Sequence, residues 1–245
     1  MNKAISRFIG LEETDSTNNY VAKQAAEGKY RPGTAILSYF QTSGRGQRGS
    51  TWQAERGANL TFSFAVPADF LPLHRSFMLS KAVSVGLCRA VGEMTSGEAV
   101  IKWPNDILLN GKKIAGILIE FKQIGGRLAV VGIGLNVNQT GFGSAFKATS
   151  VANELGRVTD INAAALTVAT HLNAAFSELF AESFDAIHAD YMSMLYGFQT
   201  EAGFETSERT FSGTILDVDE SGMLLVRSKQ GGAQAFAPKE IKINY

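Results

Sequence analysis

The chain has 245 residues, 45% of them apolar and 19% charged, with 23 basic against 23 acidic side chains. That length can bury the core of one large domain, or of a domain with a small appendage. Zero net charge leaves no global field to attract nucleic acid or a membrane surface, so any anion site has to be local.

The opening stretch, MNKAISRFIGLEETDS, lacks the apolar run of a signal peptide, and no run of eighteen apolar residues occurs anywhere; a cytoplasmic protein is expected. Asn18 to Glu27 reads as a short helix, followed by strand-like GTAILSYFQ and ANLTFSFAV. From Ser76 to Met94, apolar Phe77, Leu79, Val83, Leu87, Ala90 and Met94 recur every three to four residues, which predicts a helix laying one face on a sheet. The single cysteine, Cys88, excludes internal disulfides and reads as a small core residue rather than a nucleophile. EAVIKW, DILL, KIAGILIEF and RLAVVGIGLNV continue the strand pattern. INAAALTVATHLNAAFSELF and ESFDAIHADYMSML are helical in period, with Asp160 and Glu182 near their starts. After YGFQTEAGF, the alternating TFSGTILDV, GMLLVRS and AQAFAPKEIKI, joined by DESG and KQGG turns, predict a small antiparallel barrel of about 45 residues. The expected fold is α+β: a mixed, largely antiparallel sheet with packed helices over residues 1-196, and a barrel over 197-245.

Residues 41 to 52 read QTSGRGQRGSTW, and GRGQRG fits the dinucleotide fingerprint G-x-G-x-x-G. That fingerprint needs a following helix, whose N-terminus holds the pyrophosphate. Only STWQAER separates Gly49 from Gly57, and LTFSFAV then alternates as a strand, so the dinucleotide reading fails. Instead, Arg45 and Arg48 among three glycines form a flexible cationic clamp for phosphate or carboxylate. Trp52 could cover a ring, or belong to the core.

Residues 101 to 120 read IKWPNDILLNGKKIAGILIE, and Asn110-Gly111 between apolar runs is a strong hairpin signal. A two-residue loop pairs Leu109 with Lys112, Leu108 with Lys113 and Asp106 with Ala115. Alternation then puts Asp106, Leu108, Lys113, Ala115 and Ile117 on one face, with Asp106 diagonal to Lys113. Lys102 and Asn105 flank the turn at Pro104, where turn chemistry is the simpler reading of Asn105. In VVGIGLNVN, Gly132 and Gly134 weaken a strand unless something lies against its backbone; a bulge is the equal alternative. The amide of Asn136 could meet a nucleobase edge.

His74, His171 and His188 lie outside these segments, in or beside helices, and read as structural or solvent-facing. This argues against Ser-His catalysis and histidine metal sites, and no resident metal is expected. Lysine, arginine, glycine loop and amide suit a reaction that joins two anions, such as a carboxylate attacking the α-phosphate of ATP. Two unit charges about 4 Å apart repel by about 4 kcal/mol at an effective dielectric of about 20, nearly three powers of ten in rate. Arg45 and Lys113 could neutralise that repulsion, and a carboxylate nucleophile needs no dedicated base.

TDSTNNY, QTSGRGQRGSTW, KWPNDILLNGKKIAGILIE and VGIGLNVN, in this order and spacing, resemble the biotin protein ligases, from Thr14 to about Asn138. The resemblance implies a class II synthetase-like catalytic domain and an SH3-like C-terminal barrel. It also implies formation of biotinyl-5′-AMP from biotin, ATP and Mg²⁺, with transfer of biotin to a lysine of a biotin carboxyl carrier domain. On this likeness Ser16, Thr17, Asn18, Gln41, Gly44, Arg45, Gly46, Gln47, Lys113 and Gly116 would bind biotin. Arg48, Trp52, Lys102, Asn105 and Asn136 would meet the nucleotide. Arg45 and Lys113 would be catalytic, and Asp106 would orient or deprotonate the incoming lysine.

Many members have GRGR where this chain has GRGQ, so Gln47 removes a charge beside the adenylate. Some carry an N-terminal helix-turn-helix; only fourteen residues precede Asp15 here, and DNA binding is not expected. A lipoate or octanoate ligase of the same fold, and a non-catalytic biotin-sensing or carrier-binding module, are the rivals. Exposed strands of the main sheet make a homodimer reasonable, and the loop holding three glycines is expected to be mobile without ligand.

Overall fold

The structure, a computed structural model, describes residues 3–143 and 147–244, without the side chains of Arg48 and Asn244. The first 135 residues supply β1 (Arg7–Leu11), α1 (Thr17–Ala26), β2 (Thr34–Ser38), β3 (Leu60–Pro67), α2 (Phe77–Thr95), β4 (Ala99–Lys102), β5 (Asp106–Leu109), β6 (Lys112–Gln123) and β7 (Arg127–Leu135). Their strands form one sheet in the order β1-β2-β3-β7-β6-β5-β4. Only β1 and β2 run parallel; the other neighbours are antiparallel. Three helices follow, α3 (Val151–Leu155), α4 (Ile161–Phe180) and α5 (Phe184–Ser193). Asp160 caps α4 by accepting from the Asn162 amide. The remaining strands, β8 (Glu201–Thr206), β9 (Thr210–Val218), β10 (Leu224–Ser228), β11 (Ala233–Phe236) and β12 (Ile241–Asn244), make a five-stranded antiparallel sheet in the order β11-β10-β9-β8-β12.

The expected α+β architecture with a small C-terminal β unit therefore stands. Three elements had no clear sequence signal: β1, α3 and β8. The reading of α2 as a one-faced helix needs correction. Lys81, Ser84 and Gly86 are buried along with its apolar residues, because the sheet, α4, α5 and the C-terminal unit enclose it. Leu37, Phe62, Phe64, Val131, Ile133 and Leu135 point to that side and share one apolar cluster with α2 and α4. The same cluster runs on into Phe204, Ile215 and Val218 of the C-terminal sheet.

Hydrogen bonds fasten that sheet to the rest of the chain. Trp103 Nε1 donates to Gly222 O at 3.0 Å, and the Phe77 amide to Glu220 O at 3.2 Å. Lys81 is fully buried, with Nζ 2.5 Å from Val218 O and 2.7 Å from His188 Nδ1. Burial pushes its ammonium down to about 8, against the pull of Asp217, Asp219 and Glu220. Cys88 is buried too, its thiol donating to Ala99 O, and burial pushes that thiol up to about 12.

On the other face of the large sheet, α1 covers Ile36, Ala65 and Val130 through Val21, and leaves the ends of β6 and β7 open. That uncovered area is the candidate site.

Candidate active site

The Asn110-Gly111 hairpin forms as expected, with φ of 51° and 72° at the two positions. Leu109 pairs with Lys112 and Leu108 with Lys113, but Asp106 pairs with Gly116 and Ile107 with Ala115. The expected Asp106–Ala115 pairing is thus wrong by one residue, because Ile114 is an extra residue in β6. The bulge lets Ile114 and Ala115 both be fully buried, which strict alternation forbids. It also turns Ala115 and Ile117 into the core, not onto the Lys113 face as alternation predicts, and presents Gly116, Leu118 and Glu120 to the site side. Asp106 and Lys113 meet as the diagonal geometry requires, at 2.7 Å.

A cavity of about 210 Å³ opens at this place. Its walls include Ser16, Thr17 and Asn18 from α1, Gln41, Arg45, Gly46, Gln47 and Trp52 from the loop after β2, and Asn105, Lys113 and Gly116 from the hairpin. Ser16 occupies the N-cap of α1 without capping it. Gln41 caps instead: its Oε1 accepts from the Thr17 amide at 2.7 Å and the Thr17 hydroxyl at 3.2 Å. Ser16 itself lines the cavity.

The glycines of β7 are explained by close approach, not by a bulge. A Cβ on Gly134 would lie 2.3 Å from Trp52 Cε2, and one on Gly132 would lie 2.2 Å from Asn18 Oδ1. Trp52 therefore lies flat against the sheet, its ring 5.8 Å from Lys113 Nζ and its Nε1 buried without a partner.

Arg45 is engaged rather than free. Its Nη1 donates to Asn19 Oδ1 at 2.7 Å, and Nη1 and Nη2 reach the two oxygens of Glu120 at 3.2 and 3.0 Å. Glu120 also accepts from Asn18 Nδ2 at 3.0 Å. Burial works to raise the Glu120 carboxyl, but hydrogen bonds from Asn18 and Arg45 and the charges of Arg45 and Lys122 hold it below its usual range. Neither Glu120 nor Asn19 was singled out from the sequence, although Glu120 follows Gly116 and Leu118 at period two.

Other expected residues are spent on local contacts or stand further off. Asn105 Nδ2 donates to Ile117 O at 2.9 Å, which is turn chemistry at the cavity wall. Asn136 is buried behind the site, its amide donating to Thr149 O, so its donor is not aimed at a base. Gly44 lines a neighbouring depression shared with Arg45 and Glu120. Lys102 is half-buried opposite Asp106; burial, with Lys113 and Lys147, pulls its ammonium down while Asp106 pulls it up. The Arg48 side chain lies outside the described residues. Among the described residues no three His, Cys, Asp or Glu side chains gather as a metal site, and no helix is long and apolar enough to cross a membrane.

The chain is 29% identical over 222 residues to the Bifunctional ligase/repressor BirA of Bacillus subtilis, covering 88% of this chain and 68% of that protein. It is 36% identical over 141 residues to the Biotin--[acetyl-CoA-carboxylase] ligase of Paracoccus denitrificans, 54% of each. The biotin protein ligase of Aquifex aeolicus, solved in complex with biotin and ATP, superposes with a TM-score of 0.82 at 25% identity, covering 98% of this chain and 99% of that one. The Leishmania major enzyme, solved with biotinyl-5-AMP, gives a TM-score of 0.60 at 25% identity over 94% and 98% of the two chains. Residues 10–138 match the Biotin/lipoate A/B protein ligase family, and the chain belongs to it.

Proposed function

We propose that this protein activates biotin with ATP to biotinyl-5′-AMP and passes the biotin to a lysine of a biotin carboxyl carrier domain. The observation that carries this reading is one shared cavity, in which the α1 N-terminus and Gln41 face Arg45 and Lys113 across the glycines of β6 and β7. Ser16, Thr17, Asn18 and Gln41 supply polar groups for the ring end of biotin, with Gly44, Gly46, Gln47 and Gly116 forming the walls. Arg45 and Lys113 meet the carboxylate and the α-phosphate and neutralise the negative charge on the phosphate's non-bridging oxygens while a carboxylate oxygen bonds to the α-phosphorus and pyrophosphate leaves. Arg48, Trp52, Lys102, Asn105 and Asn136 form the nucleotide side, with Asn136 acting through the segment it holds at Thr149. ATP enters as its Mg²⁺ complex.

In the second step the carrier lysine attacks the acyl carbon and AMP leaves. Asp106, 2.7 Å from Lys113 Nζ, is placed to orient the incoming lysine or to take the proton that its ammonium loses before the neutral amine attacks. The division into residues 1–196 and 197–245 falls at the Gly197 turn, where φ is 75°. The reducing cytoplasm suits the lone buried Cys88. The unpaired edge of β1, with Ile9 exposed, offers a surface for a homodimer.

The test is pyrophosphate release from MgATP without carrier protein, comparing wild type with Lys113→Ala. Release that requires biotin, and falls at least 100-fold in the variant, is expected from the loss of a transition-state charge contact. Release with lipoate or octanoate instead of biotin would move the chain to the sister activity. No release with any of the three acids would overturn catalysis.

A further inference from the structure

Both cations of the cavity already carry an internal carboxylate. Lys113 is paired with Asp106 at 2.7 Å, and Arg45 with Glu120 at 3.0 Å. The second pair is the more built of the two. Arg45 spans both Glu120 oxygens in a fork and adds a bond to Asn19, while Glu120 is held from the other side by Asn18. Its carboxylate is the more covered partner, with a side-chain exposure of 18% against 42% for Arg45. Asn18 itself is buried and fixed by the Ser63 hydroxyl, which donates to Oδ1 at 2.6 Å. Glu120 is therefore anchored by the sheet and α1, and Arg45 is the arm that comes to it from the loop.

We infer that Glu120 is a resident counter-ion that sets the affinity for the acid substrate, occupying the Arg45 fork until the substrate carboxylate takes it over. Glu120 acts through Arg45 and is a positioning residue. The inference rests on the proposed role of Arg45 at the biotin carboxylate. The Nη1–Nη2 edge of Arg45 is spent on Glu120, so a substrate carboxylate that takes this edge exchanges one ion pair for another and its net gain is small. An acid with no negative charge has nothing to exchange, and its binding is blind to the charge of Glu120.

Glu120→Gln keeps the size of the side chain and an oxygen to accept from Asn18, and removes the charge together with the acceptor that faces Arg45 Nη2 and Lys122. Equilibrium binding of biotin and of its uncharged primary amide, measured by calorimetry on both proteins without ATP, separates the charge from the shape. The expected result is a roughly fivefold lower Kd for biotin in the variant, equivalent to about 1 kcal/mol, with the amide unchanged. Glu120→Asp, which keeps the charge but withdraws it by one methylene, is expected to lie between wild type and Glu120→Gln. It also serves if the glutamine variant folds poorly. Unchanged or weaker biotin binding in Glu120→Gln, or equal shifts for biotin and the amide, would overturn the inference. Because biotin-dependent pyrophosphate release by wild type is measured separately, either outcome leaves the ligase reading to its own test.

Discussion

The two faces of the seven-stranded sheet are made by alternate residues of the same strands, yet they are built on opposite rules. Along β7, Val131, Ile133 and Leu135 enter the core, while Gly132 and Gly134 between them face the site. One face gains stability from large side chains closely packed. The other gives up its side chains at Gly132 and Gly134, so that Asn18 and Trp52 can rest against bare backbone. A strand can thus carry fold and chemistry at once because its two-residue period keeps the demands apart.

Substitutions on the two faces are expected to separate stability from activity. On the core face Phe64 is fully buried, edge-on to Phe176 of α4 at 5.6 Å. Phe64→Ala is expected to cost about 3–5 kcal/mol, lowering Tm by on the order of 10 °C, with little change in activity per folded molecule in the cold. Calorimetry and active-site titration check both halves. On the site face, Gly134→Ala puts a methyl where Trp52 lies. The ring is half-buried and can swing out, so Tm should move by only a few degrees, while pyrophosphate release falls about 10- to 100-fold. A large Tm loss in Gly134→Ala would show that the site face also carries the fold.

Elements with strong periodicity were legible in the sequence. The α4 helix and the Asn110-Gly111 turn follow their patterns, and the apolar β3 was visible from its length and flanking residues. RFIGL, now β1, has too few residues to show a period, and its place at the sheet edge is fixed only by pairing with β2. The Ile114 bulge was hidden because Ala115 and Gly116 are both small, and alternation cannot say which of them faces inward. In the site, Gln41 came only through the family resemblance, whereas Arg45 and Lys113 were readable, since their chemistry is unusual for their surroundings. Glu120 was not: a glutamate near the end of a strand looks solvated, and its value comes from Arg45, which is 75 residues away in the chain.

Lys81 sharpens the contrast between the faces, because it is a lysine placed under the rules of the core. Lys113 stays partly open beside Asp106, whereas Lys81 is sealed between α2, α5 and β9. Its native value of about 8 lies below the ordinary 10.5. Between these values the unfolded chain binds more protons than the native one, so stability must rise with pH there. Raising the pH from 8 to 9 should stabilise wild type by about 1 kcal/mol relative to Lys81→Met, in which that titration is gone. The difference is read from paired urea melts at each pH. Parallel pH profiles for the two proteins would mean that Lys81 is solvated in the native state.

The smallest effect is expected where the loop meets both regions. Gln47 begins a 3-10 turn, Gln47–Gly49, and lines the main cavity as well as a second depression bounded by Ser76, Phe77 and Pro238. Many relatives are expected to place an arginine here. On the proposed reading, Gln47→Arg would add a cation at the cavity wall, beside the adenylate. Biotin affinity should hardly change, while release of the adenylate slows about two- to fivefold, the range of one partly exposed charge contact. Rapid filtration of enzyme loaded with labelled biotin and ATP measures that release. Equal rates for the two proteins would place Gln47 outside the adenylate's field, and would leave Arg45 and Lys113 to hold the intermediate unaided.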